Sequence, residues 1–273
     1  RPMLDPRAEH LDLNEAIEHF HAHGYAPLGP ILTEEAAAEL ADRAEALMGA
    51  DVPFPGMFFQ HEPPTAEYQD VRFNAGWVGP STRYRKLERL ELDPVFRRFI
   101  ENRLFQRLTQ RVLGEDVRLY RSVLWNKAPR GGMAVPWHQD DGRFWGLDRT
   151  PSLQVWTALD DAPLAAGCLE VVPGSHRDGL ATPEGGTIPE ERLQEAQADR
   201  RGQHLPARRG HAYLVHNHTW HRTGRNRTDA PRRAVSISFL DEITRCTRKK
   251  RAPRTFERLF HTPHGAGWSS EPG

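Results

Sequence analysis

The sequence predicts an α+β chain, mainly β, in which a helical first part leads into an all-β sandwich or jelly-roll core. Three observations carry this. Apolar residues recur at helical spacing only up to about Gly114. After it come short, β-rich runs. Between those runs lie turn-forming clusters such as Pro129-Arg-Gly-Gly132, Pro163–Gly167 and Pro173-Gly-Ser175.

Each element has a local cause. Leu13, Ala16, Ile17 and Phe20 share one face of a helix that should stop at Gly24. Thr33 is a predicted N-cap, and Glu34 and Glu35 sit in the first turn, where the helix dipole favours acids. This helix should run to about Gly49. Asp93-Pro94 is another start signal. Phe96, Phe99, Ile100, Leu104 and Leu108 continue it as one stripe to Gly114, with a break near Asn102. The predicted strands are Val117–Lys127, Leu153–Leu159, Cys168–Val172, His211–Val215 and Arg232–Leu240. No internal repeat is present. The expected organisation is one domain over residues 1–264, with a helical part at about 13–114 and a β core at about 115–245. A small, polar tail at 265–273 is expected to be disordered.

Composition narrows the function classes. Lysine plus arginine (37) equals aspartate plus glutamate (37), so the formal charge is zero and gives no reason to expect nucleic acid as a partner. No apolar run approaches the ~20 residues of a membrane span, and residues 1–13 lack a signal-peptide apolar region. Two distant cysteines, Cys168 and Cys246, make no disulfide framework and suit a reducing cytoplasm. The expected partner is a small molecule, and oligomeric state is not legible. Fourteen histidines justify a search for a metal site.

Trp137-His138-Gln139-Asp140 is the first candidate. In extended backbone, side chains two apart point the same way, so His138 and Asp140 would face one ion while Gln139 faces away. The plain alternative is a surface turn at Asp140-Asp141-Gly142. A third ligand would come from Gly210–Gly224, which holds His211, His216, His218 and His221. Two histidines and a carboxylate form the facial triad of non-haem Fe(II) oxygenases, which leaves positions open for co-substrate and O2. Residue chemistry alone does not choose among the four histidines. Downstream, Arg232–Leu240 alternates strictly. Val235, Ile237 and Phe239 share an apolar face. Arg232, Ala234, Ser236 and Ser238 share a small, polar one, where an arginine suits a bound carboxylate, the plain alternative being a strand-start arginine that reaches solvent. Arg233 falls on the apolar register and is expected at the edge.

These segments together resemble the phytanoyl-CoA dioxygenase family of Fe(II)/2-oxoglutarate oxygenases. The matching stretches are Trp137–Asp140, Val155-Trp-Thr-Ala-Leu-Asp-Asp161, Gly167-Cys-Leu-Glu-Val-Val-Pro-Gly-Ser-His176, and His221-Arg-Thr-Gly-Arg-Asn-Arg-Thr with Pro231-Arg-Arg233. Phe20–Pro30 looks like the family's opening. The resemblance covers roughly residues 13–245 and implies a double-stranded β-helix (jelly-roll, cupin-like) core. It carries over His138, Asp140 and His221 as metal ligands and as the catalytic centre. It implies Arg232 on the far carboxylate of 2-oxoglutarate, with Trp156, Asn126 and Thr223 near the co-substrate. Gly210-His211 departs from the family's usual Gly-Asp. The implied cofactors are Fe(II), 2-oxoglutarate and O2. The implied reaction is hydroxylation of an unactivated C–H bond with release of succinate and CO2. The presence of Asp140 argues against a halogenase. A non-catalytic jelly-roll binding protein and a cupin-type isomerase or epimerase are the alternatives. Gly142–Arg149 and the loop-like Phe54–Pro64 are candidate substrate walls. The basic run Arg245, Arg248, Lys249, Lys250, Arg251 could meet a phosphate or serve as a solvated face.

Overall fold

The helices start and stop where capping chemistry places them. In the computed structural model, which describes residues 2–73, 75–249 and 254–262, a short helix α1 (Pro6–Glu9) precedes α2 (Leu13–His23). Asp12 caps α2 by accepting from the amides of Asn14 and Glu15. Gly24 ends it at φ 79°, and a Cβ there would also lie 2.3 Å from Thr219 Oγ1, so only glycine fits. Thr33 Oγ1 accepts from Ala36 N–H at the start of α3 (Glu34–Gly49). Helices α4 (Pro94–Ile100) and α5 (Arg103–Leu113) divide at Asn102, whose Oδ1 accepts from Phe105 N–H. The break in the apolar stripe is therefore a new N-cap. Two short helices, α6 (Glu190–Glu195) and α7 (Ala198–Arg201), come later in the chain.

The strands are β1 (Tyr25–Pro30), β2 (Phe58–His61), β3 (Tyr84–Glu88), β4 (Val117–Lys127), β5 (Val135–Gln139), β6 (Leu153–Ala158), β7 (Leu169–Val171), β8 (Gly186–Thr187), β9 (Gln203–Leu205), β10 (His211–Val215), β11 (His221–Thr223), β12 (Arg232–Asp241) and β13 (Glu257–Phe260). They form a large sheet in the order β1-β10-β6-β12-β4-β3-β2, with β13 also on β4, and a small sheet in the order β8-β5-β11-β7-β9. Neighbours such as β4 and β12 or β5 and β11 are distant in sequence and antiparallel, as in a jelly roll.

One face of the large sheet carries the main core. Val235, Ile237 and Phe239 of β12 pack with Phe20, Leu40, Leu47, Phe96, Phe105 and Leu108 of the helices, all 1% exposed or less. The other face, with Arg232 and Ser236, borders a cavity shared with β5, β7 and β11 of the small sheet. The strict alternation of β12 thus divides a structural side from a chemical side.

Some expectations need correction. Tyr25–Pro30 is a strand despite Pro27, Gly29 and Pro30. It lies at the sheet edge with a register shift between Pro27 and Gly29, where proline is tolerated. No residue of Phe54–Pro64 is among those that line the cavity or the outer cleft described below. Phe59 is 1% exposed, and Phe54, Phe59, Trp77 and Tyr84 form an aromatic cluster with ring centroids 4.5–5.2 Å apart. The large sheet continues past residue 245 through β13. The tail at 265–273 lies outside the described residues, as do Lys250 and Arg251.

Candidate active site

Strand pairing brings the metal-ligand candidates together. His138 on β5 and His221 on β11 are direct cross-strand partners, with ring centroids 4.0 Å apart. Asp140 follows β5 on the same pleat face. The possible ligand atoms of His138, Asp140 and His221 all lie within 4.8 Å of one another. Trp137 and Gln139 point the other way and anchor the strand. Trp137 Nε1 donates to Asp199 at 3.0 Å, and Gln139 Nε2 donates to the carbonyls of Gly179 and His218, both at 2.8 Å.

Both imidazoles are oriented for coordination. His138 Nδ1 lies 2.8 Å from Pro136 O, and His221 Nδ1 lies 2.8 Å from Thr219 O. A carbonyl only accepts, so each Nδ1 carries the proton and each Nε2 keeps its lone pair for a metal. Burial, and then His221 beside it, pushes His138 down to about 4, so its ring is neutral at ordinary pH. Burial alone would raise the Asp140 carboxyl. Arg121, His221 and His138 together outweigh it and hold Asp140 well below the usual carboxylate range. Arg121 Nη2 reaches Asp140 Oδ1 at 3.2 Å, and Gln154 Nε2 donates to Oδ2 at 2.9 Å. Two imidazoles and one carboxylate, each oriented by a second partner, are a donor set that fits Fe(II).

The other histidines of Gly210–Gly224 are engaged elsewhere. His211 opens β10. His216 packs against Phe20 and His176. His218 Nε2 bonds Asp141 Oδ2 at 2.7 Å, which also occupies the alternative carboxylate. Asn217 closes the turn on the metal side, donating to Asp140 O and accepting, through its own carbonyl, from Asp140 N–H (both 2.9 Å).

The same cavity holds the candidate co-substrate residues. Arg232 is 1% exposed, and its Nε and Nη1 have no partner. Burial lowers its pKa to about 10. A buried, unpartnered guanidinium calls for an anion. Thr223 Oγ1 is likewise buried without a partner, and Trp156 lines the cavity at 6% exposure. Asn126 borders the cavity too, but its amide nitrogen donates to Thr82 O and Tyr84 O. Its cross-strand partner is Arg233, whereas Lys127 is the one opposite Arg232.

The sequence places Arg233 at the edge, and the structure corrects this. Arg233 is buried (5% exposed), forks onto Asp160 at 2.7 and 2.9 Å and reaches Glu45 of α3 at 2.6 Å. On the apolar face an arginine is tolerated when a carboxylate meets it. Sequence reasoning missed Arg121, Gln154 and Lys127. For Gln154 a signal existed, since it lies two residues before Trp156 on the same strand face.

An outer cleft of about 1290 Å³ opens onto His138 and Asp140. Tyr68, Phe73, Phe144, Trp145 and Arg248 line it, so Gly142–Arg149 does contribute a wall. Arg248 of the basic run donates to Phe144 O.

A sequence profile of the phytanoyl-CoA dioxygenase family matches residues 20–234. The chain belongs to the phytanoyl-CoA dioxygenase family. The cofactors that go with this family are Fe(II) and 2-oxoglutarate, and the cluster and the unpartnered arginine fit both. The Caenorhabditis briggsae phytanoyl-CoA dioxygenase domain-containing protein 1 homolog is 27% identical over 162 residues, 55% of this chain and 56% of that protein. Phytanoyl-CoA dioxygenase 1 of Oryza sativa subsp. japonica is 25% identical over 264 residues, covering 84% and 89%. Against relatives of the first kind, the chain spans about half their length. Among solved structures, the epimerase SnoN in complex with Fe3+, alpha ketoglutarate and nogalamycin RO superposes with a TM-score of 0.67 at 20% identity, over 96% and 98% of the two chains. EctD from S. alaskensis with 2-oxoglutarate and 5-hydroxyectoine gives 0.67 at 22% identity, over 90% and 84%. These two share the jelly-roll fold. Among the described residues no helix is long and apolar enough to cross a membrane, and both cysteines are free.

Proposed function

We propose that this chain is an Fe(II)- and 2-oxoglutarate-dependent dioxygenase that hydroxylates an unactivated C–H bond of a small molecule, releasing succinate and CO2. The observation that carries the reading is the pairing, in one cavity, of the His138/Asp140/His221 cluster with the buried, unpartnered Arg232. A metal-binding jelly roll without a diacid co-substrate has no use for that arginine. In this reading His138 Nε2, Asp140 and His221 Nε2 hold the iron. Bound iron supplies the O2 chemistry that no side chain offers. Arg232 receives the distal carboxylate of 2-oxoglutarate, while Thr223 adds a hydroxyl and Trp156 a wall. Asn126 contributes from the border of the cavity, with its amide nitrogen already committed. Arg121 and Gln154 hold Asp140 in place, which keeps the carboxylate from rotating away when charge nearby changes. The outer cleft admits the substrate to the His138 and Asp140 side, and Phe144 and Trp145 supply apolar contact.

The test is anaerobic addition of Fe(II) and 2-oxoglutarate, followed by O2 and quantification of succinate. Expected is succinate formation that requires iron and rises with the correct substrate. Absence of 2-oxoglutarate binding to the iron-loaded protein overturns the reading. Labelled O2 separates hydroxylation, which places the label in the product, from epimerisation, which does not.

A further inference from the structure

We propose that Lys127 is a second cation on the distal carboxylate of the co-substrate, acting beside Arg232. The inference rests on the reading of this cavity as a 2-oxoglutarate site.

Lys127 ends β4 and is the direct cross-strand partner of Arg232 on β12. Direct partners project to the same face, with Cβ atoms roughly 5 Å apart. Both side chains line the cavity that holds the metal cluster, and both are buried, at 4% and 1% exposure. Two cations buried side by side repel each other and lose hydration, so one of them must shed its proton or an anion must lie between them. Among the described residues neither has a carboxylate within ion-pair distance. The carboxylate that lines the cavity, Asp140, is engaged by Arg121 and Gln154.

The donor count points the same way. A lysine ammonium has three N–H donors and a guanidinium five. Lys127 donates one, to Met133 O. Arg232 Nε and Nη1 have no acceptor. The free donors are enough to satisfy one carboxylate. The turn after β4 holds Lys127 in this place. Gly132 N–H returns to Ala128 O at 3.0 Å. A Cβ on Gly132 would stand 2.4 Å from Lys127 Cβ, so the absence of a side chain lets the turn close on the lysine stem. Burial and then Arg232 lower the Lys127 pKa well below its usual value. An arriving carboxylate reverses that penalty.

The experiment compares two keto acids on the iron-loaded full chain under anaerobic conditions. 2-Oxoglutarate carries the distal carboxylate, and 2-oxopentanoate has the same head with a methyl end. Dissociation constants are measured by calorimetry for wild type, Lys127→Met and Lys127→Arg, with melting curves to verify folding. Lys127→Gln replaces Lys127→Met if the latter does not fold. Expected is a loss of about 10- to 100-fold in 2-oxoglutarate affinity for Lys127→Met, the worth of one charge-assisted hydrogen bond. Affinity for 2-oxopentanoate should stay within about twofold, because the lost charge meets no partner there. Lys127→Arg should recover part of the loss. If both ligands weaken in proportion, Lys127 is only structural and the proposal fails. It fails equally if neither ligand changes. If wild type itself does not prefer 2-oxoglutarate, the co-substrate reading fails first and takes this one with it.

Discussion

Arg232→Ala and Arg233→Ala remove the same side chain from adjacent positions, and the structure predicts opposite losses. Arg233 holds Asp160 with two hydrogen bonds, at 2.7 and 2.9 Å, and donates to Ala41 O of α3 at 3.0 Å. Its truncation leaves Asp160, 6% exposed, with only the backbone amide of Arg233 at 2.9 Å and a longer contact to Arg209 at 3.4 Å. Breaking a buried pair by removing one partner costs about 3–5 kcal/mol. The Glu45 contact adds little, since that carboxylate is more than half exposed. For a chain of this size the loss corresponds to a drop in Tm on the order of 10 °C. Arg232 has no such partner, so Arg232→Ala should leave the melting point of the ligand-free protein unchanged or raised. Its cost falls on the co-substrate. Leaving the distal carboxylate without its fork costs about 3–5 kcal/mol, or roughly a hundredfold to several thousandfold in Kd. The assay is thermal melting of each variant with Fe(II), with and without saturating 2-oxoglutarate. Ligand at free concentration L stabilises the fold by RT ln(1 + L/Kd), so the melting point rises with the logarithm of affinity. Wild type should shift upward. Arg233→Ala should start low and still shift, and Arg232→Ala should start at or above wild type and not shift. An undiminished ligand shift in Arg232→Ala would refute the co-substrate assignment. An unchanged baseline in Arg233→Ala would refute the structural role of its ion pair.

Three further outcomes follow from the same geometry. His138→Ala should abolish succinate formation, and His211→Ala should leave it near wild type, because His211 opens β10 away from the cluster. Gln154→Leu should weaken iron binding about 10- to 100-fold without removing a ligand, read as Fe(II) affinity by competition with a chelator. Stability of the metal-free protein should fall as pH drops from about 6.5, the usual histidine value, towards 4. His138, at about 4, and His216, at about 3, stay neutral in the fold, mainly through burial, while the unfolded chain takes up protons. The urea midpoint at pH 4.5 should lie below that at pH 7.5, and equal midpoints would contradict the buried, neutral state of both rings.

Much of this was legible because the relevant signals are local. Thr33, Asn102 and Gly24 act as caps through their own side chain or its absence, and β4 and β10 match their predicted bounds. The pleat alternation of β12 separated Arg232 from the apolar side. What was not legible depends on pairing between distant strands. Nothing near Arg233 announces Asp160, 73 residues earlier. Nothing near Asp140 announces Arg121 on the other sheet. β1 and β13 lack strand-like composition and are strands because a neighbour's free edge supplies hydrogen bonds. Choosing His221 over His216 and His218 needed either the family resemblance or the turn geometry around Asn217.

The two sheets divide the chemistry, and that division explains why the site can sit inside a folded protein. The small sheet supplies imidazoles from β5 and β11, and the one on β5 is neutral, so burying it costs little. The large sheet supplies the charge, with Arg232 and Lys127 on adjacent strands and Arg121 farther along β4. Buried charge without a counter-ion lowers stability, and the main core on the opposite face of the same sheet offsets it. A chain built this way is less stable empty than loaded. In the proposed reading, iron would bring two positive charges to the small-sheet side, and the diacid two negative ones, one of them for Arg232. Each ligand therefore neutralises what the other or the protein leaves uncompensated, so the two should bind cooperatively. Co-substrate affinity measured without metal should be weaker than with it, and by linkage the diacid should tighten iron to the same factor. Equal 2-oxoglutarate affinity with and without iron would mean that the distal cations act alone and that the metal end contributes no binding.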